Sequence, residues 1–424
     1  MLIRNPEATP ESARTILRRN DRGGYTVPNG RIYPFQWNWD SGFVALGYLT
    51  FDDKRAWQEL DALFAGQWDD GMVPHIVFHK PAEGYYPGPE IWGTRHAPPT
   101  SGISQPPVIT SAVLRLFREA KDREAAGKNA RALFPKLLAW HRWWHETRDP
   151  ERSGLVTSVH PWESGRDNLP DWDAPLAAVT PKLDVSALRK DITHVNADER
   201  PSHDFYNRVM TLVEEAKALG WNGARVAREL SFRVCDLGIQ CILMRADRDL
   251  RALAEALSQP VVGEIDGWLA QESAAFGRLV APDGSFRSLD LRSGQLSPAV
   301  TAATFMPLYA RAVDAAAASA LARLFEQWMT RVAFAVPSTD PSYPGFDPQR
   351  YWRGPVWLIM NFMIADGFVA YGFDHIADRI RRDSRAIVRR SGFMEYFDPR
   401  DGRGLGGCDF SWSAAIALYW GLLD

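Results

Sequence analysis

The sequence predicts an all-α protein, an (α/α)6 barrel in which helical hairpins form a double ring with long loops over a central pocket. Three observations carry that prediction. Apolar residues recur at three- and four-residue steps, as in Val113, Leu114 and Phe117, or Leu133, Leu137 and Leu138. The strict alternation of half-buried strands is nearly absent. Four short segments share one form, a Gly turn ahead of an apolar run: DGMV at 70–73, SGLV at 153–156, DGSF at 283–286 and SGFM at 391–394. They read as connections between helical hairpins at one end of a closed array.

Element by element, Thr9-Pro10-Glu11 opens the first helix with a hydroxyl cap, Pro at the first helical position and an early acid. Further helices are expected at about 41–50, 53–66, 107–121, 127–147, 203–219, 226–244, 247–258 and 261–277. The C-terminal half adds about 299–311, 316–328, 355–371, 374–390 and 411–423. The intervening loops 67–105, 150–202, 280–297 and 335–354 are rich in Pro, Gly, Trp and acids. Loops of that length in a compact domain are usually functional, and 67–105 and 150–202 are expected to cap the pocket. No linker or low-complexity tract interrupts the chain, so residues 1–424 read as a single domain.

Composition narrows the function. Hydrophobic residues make up 46% of the 424 and charged residues 24%, which allows a large core. Net charge is −3 with no basic block, which argues against nucleic acid as a partner. The N-terminus has no apolar signal-peptide core, and the longest apolar stretch, 414–423, is about half of what a membrane span needs. Cys235, Cys241 and Cys408 have no metal-type clustering and read as reduced thiols. A cytoplasmic protein without membrane partners is the expectation; oligomeric state is not legible. The abnormal feature is 17 Trp, several beside carboxylates, as in Trp39-Asp40 and Trp162-Glu163. Indole faces suit sugar rings, although most of these side chains are expected to fill the core.

Several chemistries drop out. GRGLGG at 402–407 satisfies a dinucleotide fingerprint, but the chain ends before a βαβ unit can follow, so it reads as a flexible loop. SGISQPP at 101–107 lacks the second Gly of a nucleophile elbow. His141 and His145 have the spacing of two metal ligands, but no Glu follows the first His. They read as structural histidines; no metal and no cofactor are expected.

What remains is a set of acids in or beside the long loops, in YPFQWNWDSGF (33–43), HPWESGRDNLPDWD (160–173), YWRGPVW (351–357) and GFMEYFDP (392–399). Hydrolysis of an acetal needs one carboxylic acid to protonate the leaving oxygen and a second group to act on the opposite ring face. Asp167, flanked by Gly165, Trp162 and Trp172, is the candidate acid. Arg166 must then face away, since a guanidinium at that carboxyl would keep it ionised. Competing structural roles stand beside the others: Asp40 as a helix cap, Glu163 as a loop brace through backbone N–H groups, Glu395 as a surface acid in a turn.

Together these segments resemble glycoside hydrolase family 63, in particular its bacterial mannosylglycerate and glucosylglycerate hydrolases, with kinship to family 37 trehalases. The resemblance runs from Tyr33 to Trp420 in one motif order. It implies an (α/α)6 barrel that inverts the anomeric centre, with Asp167 as general acid and Glu395 as general base. It further implies a sugar pocket from Tyr33, Trp37, Trp39, Asp40, Trp162, Gly165, Arg200, Tyr351, Trp352 and Trp357, with Tyr85 and Gln105 meeting the glycerate. Leu169 and Arg166 depart from the pattern, which makes the leaving-group side the less determined part. The resulting expectation is an inverting α-glycosidase acting on a small 2-O-glycosyl-glycerate, with a disaccharide such as trehalose or kojibiose as the second choice of substrate. A sugar epimerase of this shape would rely on histidines, which the motif loops do not offer. A non-catalytic sugar-binding protein would tolerate loss of Asp167.

Overall fold

The computed structural model describes residues 8–189 and 195–423. Residues 1–7, part of the N-terminus read above as lacking a signal-peptide core, 190–194 of the 150–202 loop, and 424 lie outside the described residues. In chain order the double ring consists of α1 (Pro10–Asn20), α2 (Asn38–Leu49), α3 (Asp53–Phe64), α4 (Val108–Glu119), α5 (Arg123–Thr147) and α6 (Leu237–Ala256). It continues through α7 (Val262–Ala275), α8 (Met306–Ala310), α9 (Ala315–Trp328), α10 (Leu358–Ala370), α11 (Asp374–Ser391) and α12 (Ser411–Tyr419). The even-numbered helices form the inner ring. Each packs on the next, and α12 closes on α2. The molecule is an (α/α)6 barrel. Among the described residues no helix is long and apolar enough to cross a membrane.

Sequence decides which ring a helix joins. Every residue of α2 is buried, as expected of a helix apolar on all sides. Its approach to α12 is so close that a Cβ on Gly47 would sit 2.5 Å from that of Ala415. By contrast α11 buries Ile376, Ala377, Ile380, Ile387 and Val388 along one stripe and turns its arginines outward. Outer α9 docks through Phe325 against Phe305 and Phe368. Caps mark the entries. Thr9 accepts from the Ser12 N–H at the start of α1, and Asp122 from Ala125 N–H at the start of α5.

The four Gly-turn segments follow α3, α5, α7 and α11, and in each the glycine has positive φ, as at Gly71 (+99°) and Gly154 (+80°). From each turn the chain crosses the rim and enters the next inner helix, so the N-termini of the inner helices surround one mouth. Two-residue strands tie this rim together: Gln36–Trp37 pairs with Ile76–Val77, Leu289–Asp290 with both Val234–Cys235 and Gln295–Leu296, and Tyr396–Phe397 with Gly404–Leu405.

Three expected helices need correction. The stretches 226–244 and 247–258 are divided elsewhere: a short helix, Gly223–Glu229, starts under an Asn222 cap, and α6 starts under Asp236. Between them Val234 and Cys235 are drawn into strand pairing, a tertiary pull that an apolar run does not disclose. The stretch 299–311 forms only a 3-10 turn (Ala302–Phe305) and the short α8. The helix expected at 203–219 is present as His203–Ala218, but it belongs to the insertion between α5 and α6, outside the double ring.

Candidate active site

Three rim segments carry the acids that sequence singled out. The first enters α2. Asp40 lies in the first turn of that helix, not at its cap, and is 3% exposed. Its Oδ1 accepts no hydrogen bond among the described residues. Burial pushes its carboxyl well above the usual range, and the charges of Glu395, Glu59 and Asp167 add to the rise.

The second segment follows α5. Glu163 braces it, taking the Arg148 guanidinium and the Ser104 N–H on Oε1 and the Val159 N–H on Oε2 at 2.9 Å. The structural role foreseen for Glu163 is the one it fills. Next the 3-10 turn Pro161–Ser164 ends at Gly165, with φ +66°, where any Cβ would overlap the Trp39 indole. That turn delivers Asp167, partly exposed, to the cavity wall. Arg166 points elsewhere: it is buried and paired with Asp236.

The third segment precedes α12 and buries Glu395 to 1% exposure, which removes the surface-acid alternative. The Tyr33 hydroxyl donates to Oε1 at 2.9 Å, Arg200 Nη1 to Oε1 at 3.3 Å and the Gly407 N–H to Oε2 at 2.9 Å. Gly406, φ +67°, leaves space that a Cβ would take, 2.5 Å from Oε2. The GRGLGG run is therefore the ordered seat of Glu395, paired as a strand at Gly404–Leu405, where a flexible loop was expected. Arg200 lies 4.5 Å over the Tyr351 ring and also donates to the Tyr33 hydroxyl.

These side chains line one cavity with two adjoining lobes, a smaller and a larger. Tyr33, Trp37, His75, Asp167 and Tyr351 border both. The smaller, inner lobe adds Trp39, Asp40, Gln105, Gly165, Glu395 and Trp412. The larger, outer lobe adds Tyr85, Tyr86, Trp162, Arg200 and Tyr206. Segments 67–105 and 150–202 thus supply much of the outer wall, whereas no described residue of 280–297 lines either lobe.

Two expectations shift. Trp352 and Trp357 line neither lobe; they stack at 3.7 Å, and Tyr396 stacks on Trp357 at 4.6 Å, a buried plate that supports Tyr351. Gln105, expected beside the glycerate, is in the inner lobe and accepts from the Trp39 N–H at 3.2 Å. Sequence reasoning missed His75, Tyr86, Tyr206 and the Gly406-Gly407 seat. His75 Nε2 accepts from Trp37 Nε1 at 3.2 Å, and burial holds its pKa well below the ordinary value, so it stays a neutral acceptor. Trp412 stands in a short aromatic run, Phe410-Ser411-Trp412, close after the GFMEYFDP segment.

Chemically the arrangement offers two carboxyl groups in different settings around a small enclosed space, with Asp167 on the wall between lobes and Glu395 confined to the inner one. The chain is similar to known glycoside hydrolases over nearly its whole length. A family model described as a mannosylglycerate hydrolase MGH1-like glycoside hydrolase domain matches residues 33–413. Mannosylglycerate hydrolase MGH1 of Selaginella moellendorffii is 49% identical over 414 residues, covering 97% of this chain and 85% of that protein. Glucosylglycerate hydrolase of Mycolicibacterium hassiacum is 34% identical over 444 residues, covering 98% and 99%. The crystal structure of GH63 mannosylglycerate hydrolase from Thermus thermophilus with Tris superposes with a TM-score of 0.95 at 46% identity, covering 97% of this chain and 100% of that one. Its complex with Tris and D-glycerate gives 0.94 at 45% identity, covering 97% and 99%. Neutral trehalase Nth1 of Saccharomyces cerevisiae, at 16% identity and a TM-score of 0.59 over 94% of this chain and 74% of that one, shares the fold.

Proposed function

Because the chain belongs to the mannosylglycerate hydrolase MGH1-like family of glycoside hydrolases, we propose that it hydrolyses a small 2-O-α-glycosyl-glycerate, releasing the sugar and glycerate with inversion. The observation that carries this reading is the two-lobed cavity with Asp167 on the shared wall and Glu395 only in the inner lobe. A hexose ring in the inner lobe and glycerate in the outer lobe place the bridging oxygen beside Asp167. Asp167 gives that oxygen its proton as the C1–O bond breaks. A water on the opposite ring face attacks C1 and loses its proton to Glu395, so the anomeric centre inverts. The pair must stand about 6.5–9.5 Å apart to admit that water.

Recognition follows from the lining. Trp37 and Trp39 offer apolar faces to the sugar and Asp40 a carboxyl to its hydroxyls, while Arg200, on the outer lobe beside Glu395, adds a charged donor for hydroxyls at the junction. In the outer lobe Tyr85, Tyr86 and Tyr206 supply hydroxyls to a small polar leaving group, with segments 67–105 and 150–202 as its cap and 1–424 as one catalytic domain. The aromatic lining of the larger lobe also favours a second reading, a second sugar such as that of trehalose or kojibiose in place of glycerate. The free Cys235, Cys241 and Cys408 fit action in the cytoplasm. Glucosylglycerate, mannosylglycerate, kojibiose and trehalose, assayed side by side for released sugar, test the assignment. The glycerate glycosides should turn over fastest, with β-sugar appearing first by NMR. Faster cleavage of either disaccharide would transfer the assignment to the second reading, and α-sugar first would remove Glu395 as base.

A further inference from the structure

Away from the cavity, the walls of α5, α6 and α7 bury a second cluster that hydrolysis does not use. His145, Asp247 and Glu272 each offer one ligand atom, and these atoms all lie within 4.8 Å of one another. All three are buried, Glu272 at 1% exposure. His145 Nε2 stands 2.9 Å from Asp247 Oδ2. The other Asp247 oxygen is held by His141 Nδ1 at 2.5 Å, and His141 Nε2 meets the Thr110 hydroxyl at 2.7 Å. Gln240 donates to Glu272 Oε1 at 3.0 Å, while Glu272 Oε2 accepts no hydrogen bond among the described residues.

The hydrogen bonds leave one buried oxygen to explain. With Thr110 donating to its Nε2, His141 donates from Nδ1 to one Asp247 oxygen, and His145 meets the other. Glu272 then stands beside Asp247 in one buried site with its Oε2 unmatched. A buried polar atom left without a partner is costly, so such atoms usually have one. Bonds of about 2.0–2.2 Å from zinc to nitrogen or oxygen put neighbouring ligand atoms of a tetrahedral site about 3.3–3.6 Å apart, between the His145–Asp247 separation of 2.9 Å and the 4.8 Å span of the cluster. Ligating carboxylates are in turn commonly held by outer partners, and here His141 and Gln240 occupy the outer oxygens. We infer that His145, Asp247 and Glu272 bind a divalent first-row metal ion of the zinc or manganese type, which clamps α5, α6 and α7. One imidazole with two carboxylates suits those ions, and the role is structural, because none of the three residues lines the cavity.

The test uses the full-length protein, stripped with a chelator and reloaded with Zn2+ or Mn2+ alone. Elemental analysis after desalting should count one ion per chain. The melting temperature should rise by about 3 °C when the ion is at a hundred times its dissociation constant. Glu272→Gln keeps the shape of the side chain and removes a ligand oxygen's charge. It should weaken binding at least about 100-fold, since even outer-shell changes cost 10- to 100-fold, while glycoside hydrolysis reports that the barrel is intact. If wild-type protein retains no ion and its melting is indifferent to chelator and to both metals, Glu272 holds a proton there and the inference fails. Unchanged affinity in Glu272→Gln, or loss of binding only on changes in the cavity, would overturn it as well.

Discussion

The two lobes of the cavity are built on different principles. The inner lobe rests on helix starts and locked main chain: Asp40 in the first turn of α2, Gly165 against Trp39, and Glu395 under three donors. The outer lobe hangs on long loops and the inserted helix His203–Ala218, and its Tyr85, Tyr86 and Tyr206 are only partly buried. Catalysis needs reacting groups fixed in place, whereas selection among small leaving groups is achieved by exchangeable contacts on loops. Changes in the inner lobe should therefore act on turnover, and changes in the outer lobe on apparent affinity.

The hardest blow to that division would come from the catalytic pair. Asp167→Asn and Glu395→Gln should each lower kcat by about 10²–10⁴ with the far-ultraviolet spectrum and melting preserved. A well-folded variant that loses less than about tenfold removes its residue from the mechanism. Next in size is Gly406→Ala. A Cβ there would stand 2.5 Å from Glu395 Oε2 at φ +67°, and displacement of a catalytic group by about 1 Å costs about 10²-fold. Gly84, in the outer-lobe loop, has a similar φ of +71° but nothing within 4 Å of a Cβ. Gly84→Ala bears the same backbone strain without the displacement and should keep kcat within about twofold. Equal losses in the two alanine variants would show that strain, not the seat of Glu395, sets the effect.

A smaller effect sharpens the other side. Tyr85→Phe removes one outer-lobe hydroxyl, and a typical hydrogen bond of about 0.5–1.5 kcal/mol corresponds to a rise in KM of about 2- to 10-fold with kcat kept. Steady-state kinetics on a glycerate glycoside decides it. If kcat falls in step with kcat/KM, the leaving group is gripped only in the transition state, and the lobes do not divide labour.

The same contrast governed what the sequence disclosed. Acids and tryptophans in compact motifs, such as Trp39, Asp40, Asp167 and Glu395, could be singled out because the side chain itself carries the chemistry, and Arg200 only through the family resemblance. The Gly406-Gly407 seat was not, because its contribution is main chain: a positive φ and an N–H aimed at a residue on another strand. His75 and Tyr206 are placed by pairing and packing between distant segments, with no local pattern to mark them. The barrel was legible from periodicity. The division of 226–258 was not, because Val234 and Cys235 leave the helical pattern to pair across the rim with Asp290 and Leu289.

The smallest expected effect separates the two acids of the inner lobe. Glu395 receives three donors, whereas Asp40 keeps Oδ1 without a hydrogen bond, and burial drives its pKa upward. A carboxyl whose folded pKa is raised supports the fold fully below its unfolded pKa, where both states hold the proton. As pH climbs toward the folded value, the unfolded chain gains by ionising while the folded one does not, and that support is lost. Asp40→Asn cannot ionise in either state. Its melting temperature should thus match the wild type in acid, below the ordinary carboxylate range, and exceed it by a few degrees as pH rises to neutral. Hydrolysis should fall as well, because the amide cannot accept from sugar hydroxyls on two oxygens as the carboxyl can. A substitution that stabilises and inactivates together marks a residue kept for function at a cost in stability. Paired thermal melts from acid to neutral pH supply the readout. A variant that melts lower than wild type at every pH would show that Asp40 is held by partners as Glu395 is, and the contrast between the two acids would be withdrawn.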